Sequence, residues 1–192
     1  MKERLKNLYQ NGEITAAGLL SAVANGWLTV ADMVEMVGED NATEVVRNAK
    51  IAEISAACNA VIVSGVDIQL GEETEHFNLS IEDQSNIANL FRVVELGGTE
   101  FPYQADGGKC RIYTAQEIAQ IYIAAQTAIT SQTTYHNAFK AYVQSLTDVE
   151  KISAATYGMN LPKKYRDEMN EKLAVAQAQM EAIVARLNGQ EG

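Results

Sequence analysis

Residues 66–83 read VDIQLGEETEHFNLSIED, and they combine a strand pattern with a helix start. Apolar and polar residues alternate over 66–70 and again over 76–79, on either side of a Gly-Glu-Glu-Thr turn, which predicts a β-hairpin. The Ser-x-x-Asp spacing that follows is typical of a helix N-cap, so a helix is expected over residues 80–94. A hairpin joined directly to a helix indicates an α+β fold.

The sequence that follows repeats this combination. Residues 101–113 alternate around an Ala-Asp-Gly-Gly turn, which predicts a second hairpin. Thr114 with Glu117, and Thr147 with Glu150, have the capping-box spacing and mark two further helix starts. The helical pattern between them has a middle rich in Ser and Thr, which leaves one kinked helix or two helices open.

The C-terminal region carries a heptad pattern. Leu161-Pro162 introduces a last helix that reaches Leu187, with apolar residues spaced 4, 3, 4, 3 and 4 apart. This seam consists of Met169, Leu173, Ala176, Met180, Ile183 and Leu187. It packs either against the helical region 118–146 of its own chain or against copies of itself, and the sequence leaves both interpretations open.

Two copies of a short pattern lie near the N-terminus. Asn-Gly, an apolar residue and a threonine occur over residues 11–15 and again over 25–29. Thr15 and Thr29 each precede apolar residues at helical spacing, so two short capped helices are predicted. The run 42–63 that follows lacks Gly and Pro and predicts a helix of about six turns.

These elements predict a mainly helical α+β fold: a helical bundle with two short β-hairpins and a long C-terminal amphipathic helix. Three segments are expected. Residues 1–38 form a helical pair that serves as a docking module and is joined flexibly at residues 38–41. Residues 42–160 form the α+β domain, and residues 161–192 form the C-terminal helix, with a role in oligomerisation.

Length, composition and charge argue against several classes of protein. The 192 residues are 47% hydrophobic and 21% charged, which is ordinary for a globular chain of one or two domains. No apolar run reaches the roughly 20 residues of a membrane-spanning helix, so membrane insertion is not expected. The first residues lack the apolar core of a signal peptide, which predicts synthesis into a cytoplasm. Residues 11–100 hold 15 acidic and 3 basic side chains, and this negative charge argues against nucleic-acid binding.

The side chains that most often carry catalysis or bind metals are sparse. His76 and His136, the two histidines, belong to no metal or hydrolase motif, and the Gly-Gly-Lys run at 107–109 lacks the rest of a phosphate-binding loop. Cys58 and Cys110 stand far apart without a CxxC pair and are expected to be free thiols. We therefore expect no catalytic residue, no cofactor and no metal site, and the chain is not expected to be an enzyme.

Apolar residues in excess of what a small unit can bury predict partner-binding surfaces. Trp27, the only tryptophan, is either a core anchor for the two short helices or a contact to another chain. The same helices and the C-terminal seam supply the other candidates. The predicted partner-binding residues are Leu19, Leu20, Val23, Trp27, Met33, Met36, Leu173, Met180 and Leu187.

Two stretches resemble phage tail proteins. Residues 11–38 contain Gly-Glu-Ile-Thr at 12–15 and Gly-Trp-Leu-Thr at 26–29, and they resemble the short XkdX-like proteins of phage and defective-prophage tail modules. Residues from about 50 to 162 resemble a domain of unknown function that recurs in phage tail-fibre and baseplate-region proteins. The second resemblance is carried by Ala57-Cys58, Asp83-Gln84-Ser85-Asn86-Ile87, Tyr103-Gln104-Ala105-Asp106-Gly107, Cys110-Arg111-Ile112-Tyr113, and Tyr157-Gly158 with Leu161-Pro162. Neither family implies a catalytic residue.

The resemblance implies a structural component of a tailed-phage or phage-derived tail tip, baseplate or tail-fibre attachment. Such a viral protein binds other tail proteins, forms homo-oligomers in the assembly, and occupies the virion tail after assembly in the host cytoplasm. An alternative is a tail-fibre assembly chaperone that is absent from the mature particle. A third class, a cell-wall-degrading or carbohydrate-binding tip protein, is not favoured by the 7% aromatic content.

Overall fold

A computed structural model describes residues 1–188 of the chain, and the fold is 68% helical. These residues form eight helices and two short antiparallel strand pairs, which confirms the predicted mainly helical α+β fold. The helices are α1 (Lys2–Gln10), α2 (Ala16–Ala24), α3 (Val30–Val37), α4 (Glu39–Val63), α5 (Ile81–Glu95), α6 (Ala115–Ser145), α7 (Val149–Ala154) and α8 (Lys163–Asn188). The strands are β1 (Val66–Leu70), β2 (Glu73–Phe77), β3 (Glu100–Tyr103) and β4 (Arg111–Thr114).

The chain forms two compact units, each built from segments that are distant in sequence. The first unit contains Met1–Ala56 and Ala138–Tyr165, and the second contains Ala57–Asn137 and the described residues from Arg166 onward. Helices α4, α6 and α8 therefore contribute residues to both units. The predicted division into three segments stays a prediction, but the flexible joint expected at residues 38–41 does not match the structure, because α4 begins at Glu39.

Helices α1, α2 and α3 of the first unit pack on one another. Both predicted threonine caps are confirmed: the Thr15 hydroxyl accepts a backbone N–H of the first turn at 3.2 Å, and Thr29 forms a capping box with Asp32. Helix α1 is not among the predicted elements. Its Lys2 ammonium lies 2.5 Å from Asp32 and 2.8 Å from Glu35, which links α1 to α3.

The ends of α6 and α7 in the first unit are stabilised by side chains from outside each helix. Arg47 Nη2 donates to the carbonyl of Leu146 at 2.8 Å, which satisfies a backbone acceptor at the end of α6. Helix α7 begins after Asp148, whose carboxylate accepts two amides of the first turn. The predicted capping box of Thr147 with Glu150 is therefore wrong, because the aspartate one position later takes the N-cap. The largest fully buried side chains of this unit are Leu19, Met33, Ile54, Phe139, Val143 and Ile152.

Both predicted hairpins form in the second unit. Strands β1 and β2 pair with Val66 opposite Phe77, and β3 and β4 pair with Phe101 opposite Tyr113. The first turn has two residues where four are predicted, because residues 73–74 join the ladder. Ser80 forms its predicted capping box with Asp83, and Thr114 forms its own with Glu117.

The buried faces of the hairpins form one apolar core with α5 and α6. The largest members of this core are Ile68, Leu70, Phe77, Leu79, Ile87, Phe91, Phe101, Tyr113, Ile118 and Ile121. The rings of Phe91 and Tyr122 stack with their centroids 4.0 Å apart. Each large apolar side chain buried here contributes roughly 1.5–3 kcal/mol, so this core is what makes two short hairpins stable. Helix α6 is one continuous helix, which settles the choice between one helix and two.

Candidate functional site

Trp27 lies in the turn between α2 and α3, and its side chain is exposed. Its residue surface is 56% exposed, although its amide donates to the carbonyl of Ala22 at 2.9 Å and fixes the backbone. The neighbouring Leu28 is only 6% exposed, so it is Leu28 and not Trp27 that is buried in the core. Of the two interpretations of Trp27, the core anchor therefore does not match the structure, and a contact to another chain stays a prediction.

The other candidates of the N-terminal repeat divide between core and surface. Leu19 and Met33 are fully buried, and so they hold α2 and α3 together instead of facing a partner. Leu20, Val23 and Met36 are partly buried. Trp27 is thus the large apolar side chain that this part of the chain presents most openly to solvent.

A groove of about 740 Å³ lies in the second unit between α6 and α8. Leu173 and Met180, two predicted partner-binding residues, line it together with Ile123 and Val184. The wall contributed by α6 also carries the uncharged polar side chains of Gln126, Thr127, Thr130 and Ser131. The groove therefore offers both apolar contacts and hydrogen-bonding side chains to a bound segment.

The predicted heptad seam of α8 packs partly within its own chain. Ile183 and Leu187 pack against the apolar core of the second unit, and Leu187 also lines a second groove of about 460 Å³. Leu173 and Met180 are only partly buried. Intrachain packing thus accounts for the C-terminal half of the seam, and the role of the other half in self-association stays a prediction.

An ionic cluster connects the two hairpins and the start of α6. Arg111 on β4 donates to Glu75 on β2 at 2.6 and 3.0 Å and to Glu117 on α6 at 2.9 Å. The Tyr113 hydroxyl donates to the second oxygen of Glu75, and the Arg111 guanidinium lies 3.6 Å from the centre of the Tyr113 ring. Glu117 also caps α6 through Thr114. Sequence reasoning missed this cluster because Glu75 and Arg111 are 36 residues apart.

The pKa shifts in this cluster follow from burial and from the arginine. Burial, together with the hydrogen bond to Glu75, raises the pKa of Tyr113 to about 12. Burial also acts to raise the pKa of Glu117, but the bonds from Arg111 and from Thr114 outweigh it, and the pKa is lowered. One guanidinium thus pairs with both carboxylates, and the cluster links the hairpins to α6.

The acidic side chains, histidines and cysteines of the described residues form no metal site. Within residues 1–188, no group of three or more His, Cys, Asp or Glu side chains is arranged to hold a metal ion. Cys58 is buried and donates to the carbonyl of Gln132 at 3.6 Å, Cys110 is exposed, and both are free thiols. Among the described helices, none combines the length and the apolar composition that crossing a membrane requires.

Comparison with known proteins identifies a family. A family model described as a domain of unknown function, DUF4376, matches residues 45–157, which is more than half of the chain. The chain belongs to the DUF4376 family. The DUF4376 match overlaps the stretch for which a domain of unknown function is expected, and it includes both hairpins, α5 and α6. No curated protein and no solved structure matches the chain.

Proposed function

We propose that this DUF4376 protein is a structural component of a tailed-phage or phage-derived particle, at the tail tip, baseplate or fibre attachment, where it binds other tail proteins. The observation that carries the assembly role is the exposure of Trp27, because tryptophan is enriched among the residues that dominate protein interfaces. The resemblance of residues 11–38 and of about 50–162 to tail-module proteins supports the tail setting. In this proposal the N-terminal helices dock on the particle.

Mass spectrometry of purified particles tests this proposal. Particles from cells that express the gene are expected to contain the protein in a fixed stoichiometry to the major tail proteins. The matched comparison is the soluble fraction of the same lysate. If the protein is abundant in the lysate and absent from the particles, the structural proposal fails and the assembly-chaperone alternative takes its place.

We propose in addition that the groove between α6 and α8 takes part in self-association. A Leu173→Asp, Met180→Asp double variant is expected to sediment as a smaller species than the parent protein, because a carboxylate buried in an apolar interface is costly. Val175→Asp is the matched control, since Val175 is 62% exposed and does not line the groove. A monomeric parent whose double variant unfolds would instead identify the seam as ordinary intrachain core.

A further inference from the structure

A chain of hydrogen bonds joins the first hairpin to the turn of the second. The Nδ1 atom of His76 on β2 lies 2.7 Å from a carboxylate oxygen of Asp67 on β1, and Nε2 lies 3.3 Å from Oδ1 of Asn78. The backbone and side-chain N–H groups of Asn78 both donate to the carboxylate of Asp106, at 2.6 and 2.7 Å. The Asp106 amide in turn donates to the carbonyl of His76 at 2.8 Å, which closes the ring.

The two aspartates fix the orientation of the side chains in this ring of hydrogen bonds. A carboxylate only accepts hydrogen bonds, so the Asn78 side chain must turn its NH₂ towards Asp106 and its oxygen towards His76. The other ring nitrogen of His76 faces the Asp67 carboxylate, which is also only an acceptor. Both nitrogens therefore need a hydrogen to donate. Only the doubly protonated imidazolium has two, whereas in either neutral tautomer one lone pair faces an acceptor oxygen.

We propose that this ring is a proton-dependent clamp between the two hairpins. With His76 doubly protonated, the clamp holds the turn at residues 105–108 against β2. When His76 releases a proton to solvent, one of its two contacts becomes repulsive and the contact between turn and strand loosens. The side chain of His76 is 39% exposed, so proton exchange with solvent requires no unfolding.

The groups around His76 also favour its protonated form. Asp67 faces His76 from β1, Asp106 faces it through Asn78 from the turn between β3 and β4, and the backbone of Ser64 also bonds to the ring. The bond to Asp67 raises the pKa of His76 above its usual 6.5, against the opposing effect of burial. Because the pKa is raised in the folded state, the clamp is fully formed below about pH 6.5 and is lost as the pH rises through the folded pKa.

Histidine NMR tests the clamp in the full chain. The sequence contains only two histidines, and a His136→Gln variant assigns the His76 signals without touching the ring of hydrogen bonds. We expect His76 to titrate above 6.5 and both of its nitrogens to carry hydrogen at about pH 5.5. Hydrogen-exchange protection of the Asp106 amide should fall by about two- to tenfold between about pH 5.5 and 8.5, because the bond to Asp67 remains and only the hydrogen bond to Asn78 is lost. Titration at or below 6.5, or protection of this amide that does not change with pH, overturns the proposal.

An Asp106→Asn variant separates the geometric effect from simple charge. An amide at position 106 accepts or donates, so Asn78 can turn and donate its NH₂ to Nε2 of His76. The neutral form is then accommodated, and we expect a lower His76 pKa together with a neutral tautomer that carries its hydrogen on Nδ1. Glu73→Gln is the matched control, because it removes one negative charge from β2, the strand that carries His76. It should leave the His76 tautomer as it is in the parent protein. If Asp106→Asn does not fold, the titration of the parent protein still decides.

Discussion

Replacement of Trp27 by alanine is expected to weaken attachment to tail particles by about 30-fold while leaving the fold intact. A tryptophan at the centre of an interface contributes about 2 kcal/mol or more, and 1.4 kcal/mol corresponds to a tenfold change in affinity. The residue is 56% exposed in the isolated chain, so its removal uncovers less apolar surface than removal of a fully buried aromatic side chain. The free energy of unfolding should therefore fall by about 1–2 kcal/mol, less than for a fully buried aromatic side chain.

The measurement is binding of the purified variant to particles that lack the protein, paired with urea unfolding. Leu28→Ala is the matched control, because Leu28 is adjacent in sequence but only 6% exposed. Its truncation should lower the free energy of unfolding by about 2–5 kcal/mol. Full particle binding by Trp27→Ala would contradict the proposed docking surface, since a hot-spot tryptophan cannot be removed without loss of affinity.

The features that the sequence predicts correctly depend on residues close together along the chain. The capping boxes of Thr29 with Asp32 and of Ser80 with Asp83 each span three residues, and their geometry follows from the helix start itself. The hairpins follow from alternation over a few residues on each side of a turn. The cap of α7 shows the limit of this reasoning. Thr147 and Asp148 are both good N-caps, and only the backbone conformation selects the aspartate.

The features that the sequence does not predict depend on residues that meet only in the folded chain. Arg111 contacts Glu75 across 36 residues, and no periodicity signals such a pair. Trp27 illustrates the same difficulty for burial. Its turn offers one core position, which Leu28 occupies, and two adjacent apolar residues give no indication of which will be inside. The ring around His76 is likewise invisible in sequence, because Asp106 reaches Asn78 from the second hairpin.

Gly65→Ala is expected to destabilise the second unit by about 3 kcal/mol, because no side chain fits at this position. Gly65 joins α4 to β1 with φ at +83°, and a Cβ atom there would lie 2.2 Å from the carbonyl oxygen of Phe77 and 2.8 Å from the Cα of Asn78. The left-handed conformation costs an L-residue roughly 1–2 kcal/mol. The clash adds about 1–3 kcal/mol, since both contacts are with backbone that cannot rotate away.

Gly71→Ala provides the matched control for the close approach of the chain at Gly65. Gly71 lies in the turn of the first hairpin with φ at +65°, but a Cβ atom there meets nothing within 4 Å. Gly71→Ala should therefore lower the free energy of unfolding only by the cost of the left-handed conformation, about 1 kcal/mol. Urea unfolding followed by circular dichroism measures both variants, and the difference of about 2 kcal/mol isolates the contact with β2. Equal losses would show that the end of β2 shifts freely, which is incompatible with a strand whose last residues anchor the hydrogen-bonded ring around His76.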